Sequence, residues 1–139
     1  MVRTVIGTVA GLAVLGVVVT LLQRGSSVMY PLPPGLDPMN PDDAAAFAEH
    51  VATMPIGAWL MTMLSEVSGA ACGALVAGFI SRDAVRGSSG AVVGLATLGS
   101  VMNWVAFPHP MLFIVAQLVL YPVALVSVWT FLAGRSSEA

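Results

Sequence analysis

The chain has 139 residues, of which 58% are hydrophobic and only 9% are charged, with a formal net charge of −2. Soluble domains carry roughly 25% charged residues, so this composition excludes an ordinary soluble protein. All five basic residues are arginines, and they are spread along the chain, which excludes the clustered basic face that a nucleic-acid partner needs.

Four apolar segments are each long enough to cross a membrane as a helix, which takes about 20 residues at a rise of 1.5 Å each. We predict spans over residues 4–22, 56–80, 89–107 and 111–133. Only Pro108-His109-Pro110 separates the last two, and these prolines favour a tight reversal because they stop a helix. The predicted fold class is therefore all-α, with residues 1–139 forming a single transmembrane domain, an integral four-helix bundle.

The charges favour one orientation of this bundle. With four spans, four arginines fall on one side, and the positive-inside rule then places both termini and the loop around residues 81–88 in the cytoplasm. The first span could instead be a secretory signal peptide, but its apolar run is longer than the usual ~7–15 residues and lacks an Ala-x-Ala cleavage pattern. We expect it to be retained as an anchor.

The long loop over residues 23–55 is predicted to lie on the extracytoplasmic side. Its Tyr30-to-Asp37 stretch should be extended because it is rich in proline. Asn40 is predicted to cap a short helix over residues 44 to about 53. The loop is interpreted either as a lid over the outer helix ends or as a gate or recognition surface, with Tyr30, Asp37 and His109 at the rim or in the lid.

Glu66 is the strongest functional pointer, because a carboxylate within a span costs at least ~2.5–3.5 kcal/mol and usually faces a partner or a cavity. Asn103, Gln117 and Tyr121 are expected at similar depth, in the outer half of the bilayer. Together the four residues predict an outward-facing polar pocket or proton site. The alternatives are a hydrogen-bonded clamp between helices, or an error in the assigned spans.

Small residues recur four apart, a spacing that lets helix backbones approach closely in lipid. This pattern predicts helix packing at three pairs: Gly7 and Gly11, Gly69 and Gly73, and Gly90 and Gly94. Ordinary packing within the bundle is the leading interpretation of these pairs, and homodimerisation is the minority one.

The sequence offers little support for a catalytic site or a metal site. A zinc-type site needs three or four converging ligands, and the two histidines, His50 and His109, have no clear cluster around them. The lone Cys72 has no second cysteine for a thiol–disulfide mechanism. We therefore expect no catalytic residues, no metal, no cofactor and no enzymatic activity.

One loop motif carries a resemblance. Tyr30-Pro31, Pro33-Pro34-Gly35-Leu36-Asp37, the glycine-rich span with Glu66, and Asn103 before Pro108-His109-Pro110 resemble a group of small, uncharacterised bacterial four-span membrane proteins. The resemblance implies this architecture and a bacterial inner-membrane location, and it carries no activity.

The expected function is a non-enzymatic accessory or interaction protein with an outward-facing polar pocket around Glu66. The alternative is a proton-coupled transporter or channel for a small solute, with Glu66 as the titrating group. The expected partners are the lipid bilayer and a homodimer or a larger membrane complex, with no nucleic acid.

Overall fold

The computed structural model describes residues 1–136, and this part of the chain folds into α-helices and two 3₁₀ turns. The helices are α1 (Val2–Met29), α2 (Ala44–Ala52), α3 (Ile56–Ile80), α4 (Val85–Ala106) and α5 (Met111–Ser136). The 3₁₀ turns, Pro41–Asp43 and Arg82–Ala84, precede α2 and α4. All but α2 are long and apolar enough to cross a membrane. The all-α prediction is confirmed, and the four long helices indicate a multi-pass membrane protein.

The first helix is longer than predicted. α1 continues to Met29 instead of ending at residue 22, and its 28 residues are about 42 Å long, more than the ~30 Å hydrocarbon core of a bilayer. The helix exceeds that thickness by about two turns, and Gln23, Ser26 and Ser27 near its C-terminal end line a cavity. The helix ends at Tyr30, where the following Pro31 disfavours helical backbone.

α3 lies at the centre of the bundle, packed against α1, α4 and α5. Its buried face consists mainly of alanine and glycine, and Ala70, Ala74 and Ala77 are completely buried. Around Ala70 and Ala74 lies a hydrophobic cluster that includes Val93 of α4 and Tyr121 of α5. The half of the bundle that contains the Ile80 end of α3 is therefore closely packed.

Glycines explain how closely α1 approaches α3. A Cβ atom added at Gly11 would lie 2.5 Å from the carbonyl oxygen of Gly73, and one added at Gly73 would lie equally close to the oxygen of Gly11. Gly69 meets α1 in the same way at Val19, and Gly7 has no room for a side chain because Ser81 fills that space. Only glycine allows the two backbones to approach so closely.

The third predicted pair requires a correction. Gly90 and Gly94 of α4 have no atom within 4 Å of an added Cβ, so they do not bring α4 against another helix in the described part of the chain. The reason is the rotation of α4 about its own axis. The side of α4 that faces the bundle carries Ser88, Ser89, Val92 and Val93, and the two glycines lie outside it.

The segment between α1 and α3 is folded by turns and caps. Gly35 has a φ of 85°, and the amide of Leu36 donates to the carbonyl of Pro33 at 3.2 Å, as in a type II turn with Pro34 and Gly35 at its centre. Asn40 caps the 3₁₀ turn that leads into α2, since its Oδ1 accepts from the amide of Asp42 at 3.1 Å. The predicted cap and the short helix after it are both present.

Candidate functional site

The carboxylate of Glu66 joins three helices. Glu66 lies ten residues into α3, about 15 Å from the Ile56 end of that helix. Its Oε2 accepts from Ser100 Oγ of α4 at 3.0 Å, from Gln117 Nε2 of α5, and from the Tyr121 hydroxyl of α5 at 3.4 Å. Ser100, Gln117 and Tyr121 are buried, so their polar atoms depend on these partners.

A fourth residue fixes the orientation of the Gln117 amide. The indole nitrogen of Trp104 donates to Gln117 Oε1 at 2.9 Å. Because an indole nitrogen can only donate, the amide oxygen must face Trp104 and the amide nitrogen must face Glu66. One hydrogen-bond chain therefore runs from Trp104 through Gln117 to the carboxylate.

The two hydroxyl groups form a second chain to the same oxygen. Ser100 Oγ and the Tyr121 hydroxyl are 2.7 Å apart, closer than Tyr121 is to the carboxylate. If Tyr121 donates to Ser100 and Ser100 donates to Glu66, each hydroxyl hydrogen has one short bond. Glu66 is then the final acceptor of both chains, and every polar side chain in this network, defined as Glu66, Ser100, Trp104, Gln117 and Tyr121, has a partner.

The structure brings two of the three residues predicted around the carboxylate, Gln117 and Tyr121, into contact with Glu66. Asn103 is the exception: its amide nitrogen lies 3.4 Å from His109 Nε2 instead. Asn103 is adjacent to Trp104 in the sequence, and the rotation of about 100° per residue turns its side chain away from the network and toward His109. Ser100 and Trp104 were missed as network members. They lie four residues apart on α4, as Gln117 and Tyr121 do on α5, and matching these two spacings is the signal that would have found them.

A cavity of about 380 Å³ lies at the end of the bundle that contains Met29 and Ile56, the end predicted to face outward, beneath the segment between α1 and α3. Side chains from α1, this segment, α2, the first turns of α3 and the end of α4 line it. The lining residues are Gln23, Ser26, Ser27, Tyr30, Leu32, Pro38, Phe47, Val51, Met54, Ala58, Trp59, Thr62, Asn103, Phe107 and His109. None is an acid, a lysine or an arginine, and most of the wall is apolar or aromatic.

The cavity and the carboxylate are separate features, which corrects the expectation of a polar pocket around Glu66. Glu66 does not line the cavity, and neither do Gln117 and Tyr121. The carboxylate turns toward Ser100 in α4 and toward α5, whereas the cavity lies further toward the Met29 end of the bundle, among α1, α2, the first turns of α3 and the last turn of α4. Thr62, one helical turn before Glu66, is the α3 residue that reaches the cavity from nearest the network.

The three residues predicted at the rim have different roles. Tyr30 lines the cavity and packs against Gly57, where a side chain would collide with the phenol. His109 lines it as well, with its ring against Trp59 at a centroid distance of 5.0 Å. Asp37 does not line it, since this exposed carboxylate accepts from the amide of Met39 at 2.9 Å and so stabilises a turn.

The hydrogen bonds of His109 identify its tautomer. Nδ1 lies 2.7 Å from the carbonyl oxygen of Phe107, and because a carbonyl can only accept, Nδ1 carries a hydrogen. Nε2 is then free to accept from the Asn103 amide. His109 therefore closes the turn between α4 and α5 with both of its nitrogens engaged.

The described residues include no group of three or more His, Cys, Asp or Glu side chains arranged to hold a metal ion. Comparisons with protein-family models, with curated proteins and with solved structures each gave no match to this chain. The features that bear on its function are therefore the Glu66 network and the cavity.

Proposed function

We propose that this chain is a non-enzymatic binding or interaction protein of the membrane. In this proposal the outer cavity receives part of a partner molecule, and the Glu66 network holds α3, α4 and α5 in a fixed arrangement beneath it. The observation that carries the proposal is that one carboxylate oxygen, Oε2, is the final acceptor of two hydrogen-bond chains from two neighbouring helices.

A non-enzymatic role is supported by the state of the other reactive groups. A nucleophile needs an activating base within hydrogen-bond reach, and a general base needs an unengaged lone pair toward a substrate. Ser100 is bonded within the network, and His109 has both nitrogens engaged. Cys72 is on an exposed face of α3, where nothing in the described residues is placed to activate it.

The cavity wall indicates the chemistry of what it would bind. Phe47, Trp59 and Phe107 supply aromatic surface, while Thr62 and Asn103 supply a hydroxyl and an amide. Ligand sites of this kind are mostly apolar, with a few polar groups that fix orientation. An uncharged, partly apolar group, such as a side chain of a partner protein, suits this wall better than an ion does.

The alternative is proton-coupled transport, and one observation favours it: Thr62 lines the cavity only one turn from the carboxylate. Transport also needs a route through the other half of the bundle. There the backbones of α1 and α3 touch at Gly11 and Gly73, and Ala74 and Ala77 are completely buried. A route would need these helices to separate, so the geometry supports binding better than transport by a single chain.

Replacing Glu66 distinguishes these two functions. Glu66→Gln keeps an acceptor oxygen, so as a clamp it should cost less than about 1 kcal/mol of unfolding free energy, whereas Glu66→Leu should cost about 1–3 kcal/mol. As a proton site, Glu66→Gln should instead abolish pH-driven solute flux in proteoliposomes while the protein still folds. Glu49→Gln, at an exposed position on α2, is the matched control for loss of one carboxylate.

The binding function is tested at the cavity wall. Ser27→Trp would fill the cavity, whereas Val28→Trp puts the same side chain at the next residue, which is 83% exposed and does not line it. A partner that co-purifies with the wild type should be lost with Ser27→Trp and kept with Val28→Trp. Equal retention by both variants would contradict binding in this cavity.

The orientation and the membrane type belong to the same proposal. The positive-inside rule supports cytoplasmic termini, because Arg3, Arg82, Arg86 and Arg135 all lie at the helix ends opposite the cavity. A phosphatase that is active only outside the cytoplasm should be inactive when fused to the C-terminus, and active when inserted at Gly35. The reverse pattern would overturn this orientation.

A further inference from the structure

A second cavity lies at the arginine-rich end of the bundle, between α4 and α5. Its volume is about 420 Å³, and it is lined by Val85, Arg86, Val126, Trp129, Thr130, Leu132 and Ala133. It shares no residue with the outer cavity or with the Glu66 network. Arg86 and Trp129 are its main polar groups, and both are unusual in how their donors are used.

Arg86 brings a positive charge to this cavity with no acid to balance it. Its side chain is exposed, and the described residues form no ion pair with it. Its guanidinium carbon lies 5.8 Å from the centre of the Trp129 ring, near the ~6 Å limit for attraction between a cation and an aromatic face. Such a distant contact is weak, so an anion can compete for the guanidinium with little loss.

Trp129 supplies a second donor that lacks an acceptor. Its indole nitrogen is the one buried side-chain nitrogen or oxygen in the described residues without a hydrogen-bond partner. A buried donor left unpaired is costly, so an acceptor brought by a ligand is stabilised here. Because this nitrogen is buried, a ligand that enters the cavity reaches it only when the side chains around it shift.

Beyond the cavity, α4 continues with a face that carries little side-chain bulk. Arg86, Gly90 and Gly94 follow one face of α4 at intervals of four residues, and the space beside both glycines is open. On α5, Val126 and Pro122 lie three and seven residues before Trp129, on the same face of that helix, and both are exposed. The missing side chains on α4 thus leave a notch that leads away from the charge.

We infer that this cavity and notch bind one anionic phospholipid. The phosphate pairs with Arg86, an ester or phosphate oxygen accepts from the Trp129 indole, and an acyl chain lies along Gly90 and Gly94. A cationic pocket between helices at the membrane surface is a recurring way to hold an acidic lipid headgroup. A phospholipid fits better than free phosphate because the apolar notch continues directly from the charged end.

The test measures lipid retention by the purified full-length chain, using native mass spectrometry. The probes are phosphatidylglycerol, phosphatidylcholine with the same acyl chains, and inorganic phosphate. We expect one phosphatidylglycerol per chain, bound at least about fivefold more tightly than phosphatidylcholine, which corresponds to one arginine near an anionic surface. Inorganic phosphate should not displace it.

Variants separate this site from a diffuse attraction to charge. Arg86→Gln should remove the preference for phosphatidylglycerol, whereas Arg82→Gln, an exposed arginine one turn away that does not line the cavity, should keep it. Gly90→Leu fills the notch without a clash and should weaken retention of both lipids. Trp129→Phe removes the indole donor and keeps an aromatic ring, and it should reduce the preference even where Arg86→Gln fails to fold.

Several results would overturn the inference. Equal loss of preference in Arg86→Gln and Arg82→Gln would indicate attraction to the whole arginine-rich end. Equal retention of the two lipids by the wild type would rule out headgroup selection. Displacement by inorganic phosphate, or normal retention in Gly90→Leu, would show that no acyl chain occupies the notch.

Discussion

Replacing Gly11 by alanine tests how α1 is held against α3. An added Cβ would lie 2.5 Å from the carbonyl oxygen of Gly73 and 2.9 Å from Ala77 Cβ and Val92 Cγ2, whereas Cβ atoms essentially never come within 3.0 Å of another heavy atom. The closest contact is with backbone, which cannot rotate away, so α1 has to move outward by about half an ångström. Movement of this kind disrupts packing along the whole contact between α1 and α3.

The expected cost follows from two opposing effects. Inserting a methyl group into a closely packed contact costs about 1–3 kcal/mol. Alanine also favours the helix over glycine by about 1 kcal/mol, and this gain must be measured separately. Gly16→Ala is the control, since Gly16 lies in the same helix with nothing within 4 Å of an added Cβ.

Unfolding in mixed micelles titrated with dodecyl sulfate, followed by tryptophan fluorescence, gives both free energies. Gly11→Ala should be less stable than Gly16→Ala by about 1–3 kcal/mol, because only Gly11 meets another backbone. If the unfolding free energies of the two variants agree within about 0.5 kcal/mol, the range of ordinary surface substitutions, the close approach of α1 to α3 is refuted.

Three further predictions concern single residues. Trp104→Phe keeps an aromatic ring, loses part of the indole and leaves Gln117 Oε1 without a donor, so the same titration should show a loss of at least about 1 kcal/mol, and no loss would contradict the hydrogen bond from Trp104. Asn40→Ala removes a cap worth about 1 kcal/mol, so hydrogen exchange should speed up over residues 41–52 and stay unchanged in α3. Cys72 lies exposed near the middle of α3, so in intact vesicles it should react with a lipid-soluble maleimide and not with a charged one. Fast labelling by the charged reagent would contradict a position facing lipid.

The long apolar helices were predictable because membrane helices follow from length and hydropathy alone. The ends of the helices were harder to predict. α1 continues through Gln23-Arg24-Gly25-Ser26-Ser27, a polar stretch that gives no apolar signal. This stretch stays helical because nothing stops it before Tyr30-Pro31. Gln23, Ser26 and Ser27 in this extension of α1 line the cavity. Because the predicted span ended at residue 22, the pocket was predicted deeper in the bundle, around Glu66.

The network was partly predictable from depth along each helix. Depth placed Glu66, Gln117 and Tyr121 at one level, and they do meet. Rotation about the helix axis was harder to obtain from the sequence, since a shift of one residue turns a side chain by about 100°. Asn103 and Ser100 are both polar and three residues apart, and only the packing of α4 on α5 decides which of them faces the carboxylate.

Stability alone does not explain why a carboxylate is kept in this network. Hydrogen bonds within membranes average about 0.6 kcal/mol each, and polar pairs replaced together by apolar groups of similar shape are often neutral or stabilising. What apolar packing cannot supply is a unique rotation for each helix, because a smooth apolar face fits in several ways. The network specifies how α4 and α5 are turned beneath the cavity, as buried polar groups do in some other helical assemblies.

This argument predicts a difference between partial and complete removal of the network. A variant with Glu66→Leu, Ser100→Ala, Trp104→Phe, Gln117→Leu and Tyr121→Phe leaves no unpaired donor, so its free energy of unfolding should lie closer to wild type than that of Glu66→Leu alone. Because the helices lose their fixed rotation, retention of the co-purifying partner should still fall. A complete variant less stable than Glu66→Leu, or one that retains the partner normally, would show that the network serves stability and does not set the arrangement of the helices around the cavity.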